Sequence, residues 1–270
     1  MPRAPDTSQE ATDESTEQTT RGRRSVLKAA GLGAALPILG GVAAGRGAVT
    51  GTRRRGDGAD SARPPVIHSH FGYSGTSEDE IPNQLTPDET VGLHVDEEKI
   101  DDSNLPELTV EFGAFHFDPV GLHVDPGAVV EFDFHSPEHT ATAYHPGQER
   151  QQRVPEGVPA FSSTVNEHHG FWLYRFEEEG VYDLFCAPHE WGGMGLRIVV
   201  GDEPGNVVRG PGRPPLPMTA ALLGTGLPPG DPALGPPEMD PQSIINHGSV
   251  TLEDLSIDLE VTITAPSPVQ

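Results

Sequence analysis

Alternation of apolar and polar positions is concentrated in the middle of the chain. In AVVEFDF, residues 128–134, Val130, Phe132 and Phe134 fall on one face and Val129, Glu131 and Asp133 on the other. That period of two marks a half-buried strand. LTVEFGAFHF (108–117) alternates around Val110, Phe112 and Phe115, with Gly113 placed for a bulge. FWLYRF (171–176) and VYDLFC (181–186) follow, separated by the turn-forming EEEG, and LRIVVG (196–201) closes the block. Short strands separated by turn signals, without a strong helical period, predict an all-β domain over residues 106–201, a Greek-key β-sandwich.

The flanks read differently. Residues 1–50 begin with a polar stretch and continue with RGRRSVLKAAGLGAALPILGGVAAG. The pair Arg23-Arg24 before Ser25-Val26-Leu27-Lys28 resembles a twin-arginine export signal. The apolar run Ala29 to Ala44 is shorter than the ~20 residues of a spanning helix, so it reads as the core of a signal segment. Residues 51–105 are charged and turn-forming, and read as an acidic linker holding at most one strand. The hexapeptide VGLHVD occurs at 91–96 and again at 120–125, either as two similar strand edges or by coincidence. Residues 202–270 form a Pro/Gly-rich extension. A short helix is expected at 241–246, with Asp240 as N-cap, Pro241 at its first position and Gly248 past its end. SIDLEVTIT (256–264) alternates and predicts a terminal strand, its partner open between the sandwich edge and the segment near 91–96.

Composition narrows the possibilities. The 270 residues include 32 Gly and 28 Pro, and 34% are hydrophobic, which fits one modest core with irregular flanks. Asp and Glu number 41 against 17 Lys and Arg, a net charge of −24. Nucleic acid is therefore not an expected partner, because phosphate backbones need a basic footprint. Lys28 and Lys99 are the lysines of the chain. Such an acidic, lysine-poor surface suits concentrated salt, where a Debye length of roughly 3 Å or below screens self-repulsion.

The chain has one cysteine, so an intramolecular disulfide is impossible. It lies in DLFCAPHEWGGMG, with His189 and Met194 following Cys186. Thiolate, imidazole and thioether are soft or borderline donors that together select copper, and two His, one Cys and a weak axial Met make an electron-transfer site. Gly192 and Gly193 permit a tight return and Pro188 restricts the turn before His189. A second histidine must come from elsewhere, and His135, His139 and His145 all lie in DFHSPEHTATAYHP. Trp191, Phe185 and Tyr182 read as packing around the site. Glu190 after His189 does not make a zinc-protease motif, since position 193 is Gly.

Cys186, His189 and Met194 at a strand-to-strand turn resemble the ligand loop of the cupredoxins, above all the plastocyanin, pseudoazurin and halocyanin group. VPEGVPAFSS (154–163) and GVYDLFCAPH (180–189) are pseudoazurin-like as well. The resemblance covers 106–201 and implies a blue copper protein holding one type 1 copper ion through His139, Cys186, His189 and Met194. Among the three upstream histidines, His139 fits the family pattern best, although Thr140 follows it where the family usually has Asn. The resemblance also implies that the edge of His189 lies near the surface and passes the electron.

The expected function is an exported carrier of single electrons between redox proteins at the outer face of the membrane, not an enzyme. It would meet the membrane only through a retained signal segment, and is expected to be monomeric. A copper-storage or copper-delivery protein and a non-redox cupredoxin-like surface module are alternatives on the same fold. A multicopper enzyme would need a further metal centre, for which the chain offers one His-x-His, at 68–70, and no second domain.

Overall fold

In a computed structural model, the described residues are 64–103, 107–165, 169–205, 207–224, 235–257 and 260–264. The expected signal segment lies outside them. They form thirteen strands and two short helices. In chain order the strands are β1 (Tyr73–Gly75), β2 (Glu89–Val95), β3 (Ile100–Asp101), β4 (Glu107–Glu111), β5 (Phe115–Asp118), β6 (Gly121–Val124), β7 (Ala128–Phe134), β8 (Thr142–Ala143), β9 (Gly170–Phe176), β10 (Gly180–Phe185), β11 (Gly195–Val200), β12 (Ser249–Val250) and β13 (Glu260–Thr264). Helices α1 (Pro217–Leu222) and α2 (Pro241–His247) lie between β11 and β12.

One sheet runs β1-β9-β7-β2-β5 and a second runs β12-β6-β11-β10-β8. Their facing sides supply a common core: Val91, Val130, Phe132, Phe134, Trp172, Tyr174 and Phe176 from the first sheet, Leu122, Tyr182, Leu184, Leu196 and Ile198 from the second. The alternation in β7 is realised as expected, for Val129 turns to the opposite side and joins Leu85, Phe171 and Leu173 in a separate cluster. The molecule is the all-β sandwich that the pattern predicts.

Three segments depart from expectation. The acidic segment 51–105 is more than a linker: its VGLHV forms β2, which sits between β7 and β5 and pairs in parallel with β7, Val91 opposite Phe132 and Leu93 opposite Phe134. Its strand character is hidden by charged flanks, because its partner lies far along the chain. LTVEFGAFHF is two strands in two sheets, not one bulged strand. Gly113, at φ +86°, turns the chain between β4 and β5. Strand β4 leaves the sandwich to pair with β13 and β3 in a third sheet, Val261 opposite Val110. The terminal strand thus pairs with β4, and neither with the sandwich edge nor with the segment near 91–96.

The extension is built onto the second sheet. Leu222, Leu223, Met239, Ile244 and Val250 cluster with Val120, Tyr144, Phe185 and Val199 on the side away from the main core. Helix α2 has its expected cap, Asp240 accepting from the Gln242 amide at 2.9 Å, and Gly248 follows at φ +79°. The described residues all belong to one compact unit.

A His-Cys-His candidate metal centre

The end of β10 and the loop after β7 meet at one end of the sandwich. Strands β10 and β11 remain in register to Phe185 opposite Gly195, so Cys186 and Met194 face each other just beyond the last pair. The Cys186 amide donates to the Met194 carbonyl at 3.1 Å and closes the loop. Within it, His189 N donates to Cys186 O at 3.1 Å, and a 3-10 turn covers Glu190–Gly192. Gly193 then takes φ +92°, which a side chain would strain. On the other loop Glu138 adopts φ +67° immediately before His139.

Three donor atoms converge. Cys186 Sγ is 3.6 Å from His139 Nδ1 and 3.5 Å from His189 Nδ1, and the two nitrogens are 3.1 Å apart. A point equidistant from all three lies roughly 2 Å from each, the length of a first-row metal bond to imidazole nitrogen. Among the described residues no other group of three His, Cys, Asp or Glu side chains converges in this way. Cys186 and His139 are buried and His189 is partly exposed. Met194 is fully buried in the same core cluster.

Each donor is held by a neighbour. Ser136 Oγ lies 2.8 Å from His139 Nε2, leaving Nδ1 for the centre. The Phe115 ring stacks on His189 with centroids 4.1 Å apart and planes 2° from parallel, and Trp191 meets Phe115 edge-on. Thr140 performs the tie expected of Asn: its hydroxyl accepts from the Ala187 amide at 2.8 Å, while its own amide donates to Cys186 Sγ at 3.3 Å. Burial dominates the electrostatics. It lowers the pKa of His139 to about 3, aided by the charge of His189, and that of His189 to about 4. It raises the Cys186 thiol to about 11, against the hydrogen bonds from Thr140 and His189. Two neutral imidazoles and a thiol reluctant to ionise alone form a pocket that lacks positive charge. A cation supplies it, and a metal-bound thiol is deprotonated outright.

The other two upstream histidines stand elsewhere. His145 caps the turn that follows it, its Nδ1 accepting from the Gly147 amide at 2.9 Å. His135 pairs with Asp133 at 3.0 Å and stacks on His94, which in turn stacks on His116. Tyr182 and Phe185 are buried in the two clusters on either side of the second sheet. The His68-Ser69-His70 segment is a hairpin tip, with a bridge from His68 to Gly72. Phe115 and Ser136 were not singled out from the sequence. Phe115 reaches His189 only through the tertiary fold, whereas the Ser-x-x-His spacing of Ser136 and His139 carried a local signal.

Comparison with known proteins gives pseudoazurins among the sequence relatives. The chain is 33% identical over 97 residues to pseudoazurin from Paracoccus pantotrophus, covering 36% of this chain and 61% of that one. It is 35% identical over 95 residues to a putative pseudoazurin from Rhizobium leguminosarum bv. viciae, covering 35% of this chain and 57% of that one. The chain thus spans less than two thirds of these relatives. The β-sandwich and these relatives agree with the resemblance that the ligand loop carries. Among solved structures, native pseudoazurin from Hyphomicrobium denitrificans aligns at 26% identity and TM-score 0.31, over 42% of this chain and 76% of that one. No family model matches the chain. The donor set of this sandwich suits a single copper ion, with His139, Cys186 and His189 as the converging side chains.

Proposed function

We propose that the chain is an exported blue copper protein that carries single electrons between redox proteins and catalyses no reaction of its own. The observation that carries this reading is the convergence of Cys186 Sγ with the Nδ1 atoms of His139 and His189. Met194, buried in the same closed loop, would supply a fourth, weaker donor to the set. When bound, copper supplies the one-electron couple.

The protein's part is to hold the donors still and dry. Ser136 fixes the ring of His139, Phe115 the plane of His189, and Thr140 the distance between the two loops. Outer partners of this kind orient metal ligands and tune their basicity. His189, the partly exposed member of the trio, is where an electron enters or leaves. Export rests on Arg23-Arg24 and the apolar run after them, which place the partners at the outer face of the membrane.

The test is a pair of spectra, visible and electron-paramagnetic, of the purified chain before and after Cu(II), beside a Cys186→Ser variant. An intense blue band with narrow copper hyperfine splitting, absent from the variant, is expected. A reversible one-electron potential separates a carrier from a storage or delivery protein. A colourless protein, or copper binding unchanged by the substitution, overturns the reading.

A further inference from the structure

We propose that the C-terminal extension is a brace for the copper-ligand loop, acting through Glu190 and Thr219. The proposal rests on the copper reading above for its functional meaning, and on geometry alone for the brace.

Glu190 follows His189 directly, yet its side chain is 1% exposed, an unusual place for a carboxylate. Its Oε1 accepts from the Tyr144 hydroxyl at 2.8 Å and from the Leu216 amide at 3.1 Å. Its Oε2 lies 2.5 Å from Arg150 Nη2 and 3.7 Å from Arg213 Nη2. The Thr219 hydroxyl, fully buried in α1, donates to the Glu190 backbone carbonyl at 2.6 Å. Main chain and side chain of the same residue are thus gripped by residues 213–219, beyond the segment that carries the cupredoxin resemblance.

The grip reaches both glycines beside Met194. A Cβ added to Gly195 would stand 2.7 Å from Thr219 Cγ2, and one added to Gly193 would meet Phe112 at 2.9 Å and Met218 at 3.4 Å. Helix α1 is therefore packed against the return of the loop on which Met194 sits. A fold that needed only a cover here would use apolar side chains, since burying a carboxylate is costly unless every charge is paired. What the paired carboxylate adds is direction. It fixes the 3-10 turn between His189 and Met194, so the loop cannot relax when the charge at its centre changes.

The experiment compares the full chain with Thr219→Val, which keeps the shape and loses the donor, and Thr219→Ser, which keeps the donor. In the copper-free protein, amide hydrogen exchange is followed at Gly192, Gly193 and Met194, whose amides donate to carbonyls of His189 and Glu190. In the copper-loaded protein, the hyperfine splitting, the reduction potential and the rate of Cu(I) loss to a chelator are measured. Thr219→Val is expected to speed loop exchange and copper loss by about tenfold, the lower end of the effect of removing an outer partner of a metal site. Its potential and hyperfine splitting are expected to shift, and Thr219→Ser to restore all four readings. Unchanged loop exchange in Thr219→Val overturns the brace. Faster exchange with unchanged potential and spectrum overturns its role at the copper centre. A wild-type chain that binds no copper overturns the electron-carrier reading instead, and loop exchange still decides the brace.

Discussion

Each sheet of the sandwich has an outer face, and the two are covered in opposite ways. The first is covered from the N-terminal side, where Ile67, Tyr73, Ile81 and Leu85 pack on Val129, Phe171 and Leu173. The second is covered from the C-terminal side by Leu222 of α1, Met239 and Ile244 of α2. The first cover is apolar, with the carboxylate of Glu131 buried beneath it. The second is threaded by ions. Asp183, fully buried, accepts from Arg153 Nε and Arg197 Nε, both at 2.8 Å. Arg197 continues outward to the carbonyls of Leu223 and Met239, at 2.7 and 2.6 Å. One cover keeps water off a sheet. The other also dictates where its helices sit, and one of them reaches the ligand loop.

Breaking the ionic side is expected to have the largest effect. Asp183→Ala leaves two buried guanidinium groups without their counter-charge and is expected to cost about 3–5 kcal/mol, read from urea unfolding of the copper-free chain. A loss below about 1 kcal/mol would mean that the network contributes nothing beyond its packing.

The next test sharpens the contrast by removing equal volumes from both covers. Leu173→Ala and Leu222→Ala are each expected to cost about 2–5 kcal/mol in the same unfolding experiment. Only Leu222→Ala is expected to alter the visible and electron-paramagnetic spectra of the copper form, because Leu222 lies in α1, 3.4 Å from a Cβ built on Gly195. Equal spectral changes in the two variants would erase the distinction.

The smallest effect is expected at Glu131. Burial, then the nearby Glu78 and Asp133, raise its pKa, so its ionised form is penalised in the folded state. The folded protein holds this proton more tightly than the unfolded chain. The penalty is therefore full above the raised, folded-state pKa, shrinks as pH falls through it, and is gone below the ordinary carboxylate pKa. Glu131→Gln is expected to stabilise by up to about 1 kcal/mol at neutral pH, with the gap closing towards pH 4. A destabilised variant at neutral pH would show that the carboxylate has a partner it needs.

What the sequence made legible was local. The alternation of Val130, Phe132 and Phe134 identifies its strand because side-chain direction there depends only on parity. Cys186, His189 and Met194 announce their chemistry because one turn holds all three, and the α2 helix carries its own cap in Asp240 and stop in Gly248. Partners that meet through tertiary pairing were not legible. Phe112 and Phe115 look like one strand, yet Gly113 sends Phe112 to the outer cluster and Phe115 to His189. Helix α1 lies in a proline-dense stretch that reads as loop. Pro217 is tolerated at its first position, and the helix is sustained by burial of Met218, Thr219, Ala220 and Leu222.

The repeated hexapeptide also gains meaning from its two settings. Both copies of VGLHV lie in strands whose parallel partner is a central strand, β2 beside β7 in one sheet and β6 beside β11 in the other. Leu93 and Leu122 point into the same core. The same five residues thus serve two slots, one in each sheet. What tells them apart is the company of their glycines: Gly92 is crowded by His94 and His135, Gly121 by Ile244 and Val250. Ile244 and Val250 belong to the C-terminal extension, so the second slot is distinguished from the first by residues that lie far along the chain.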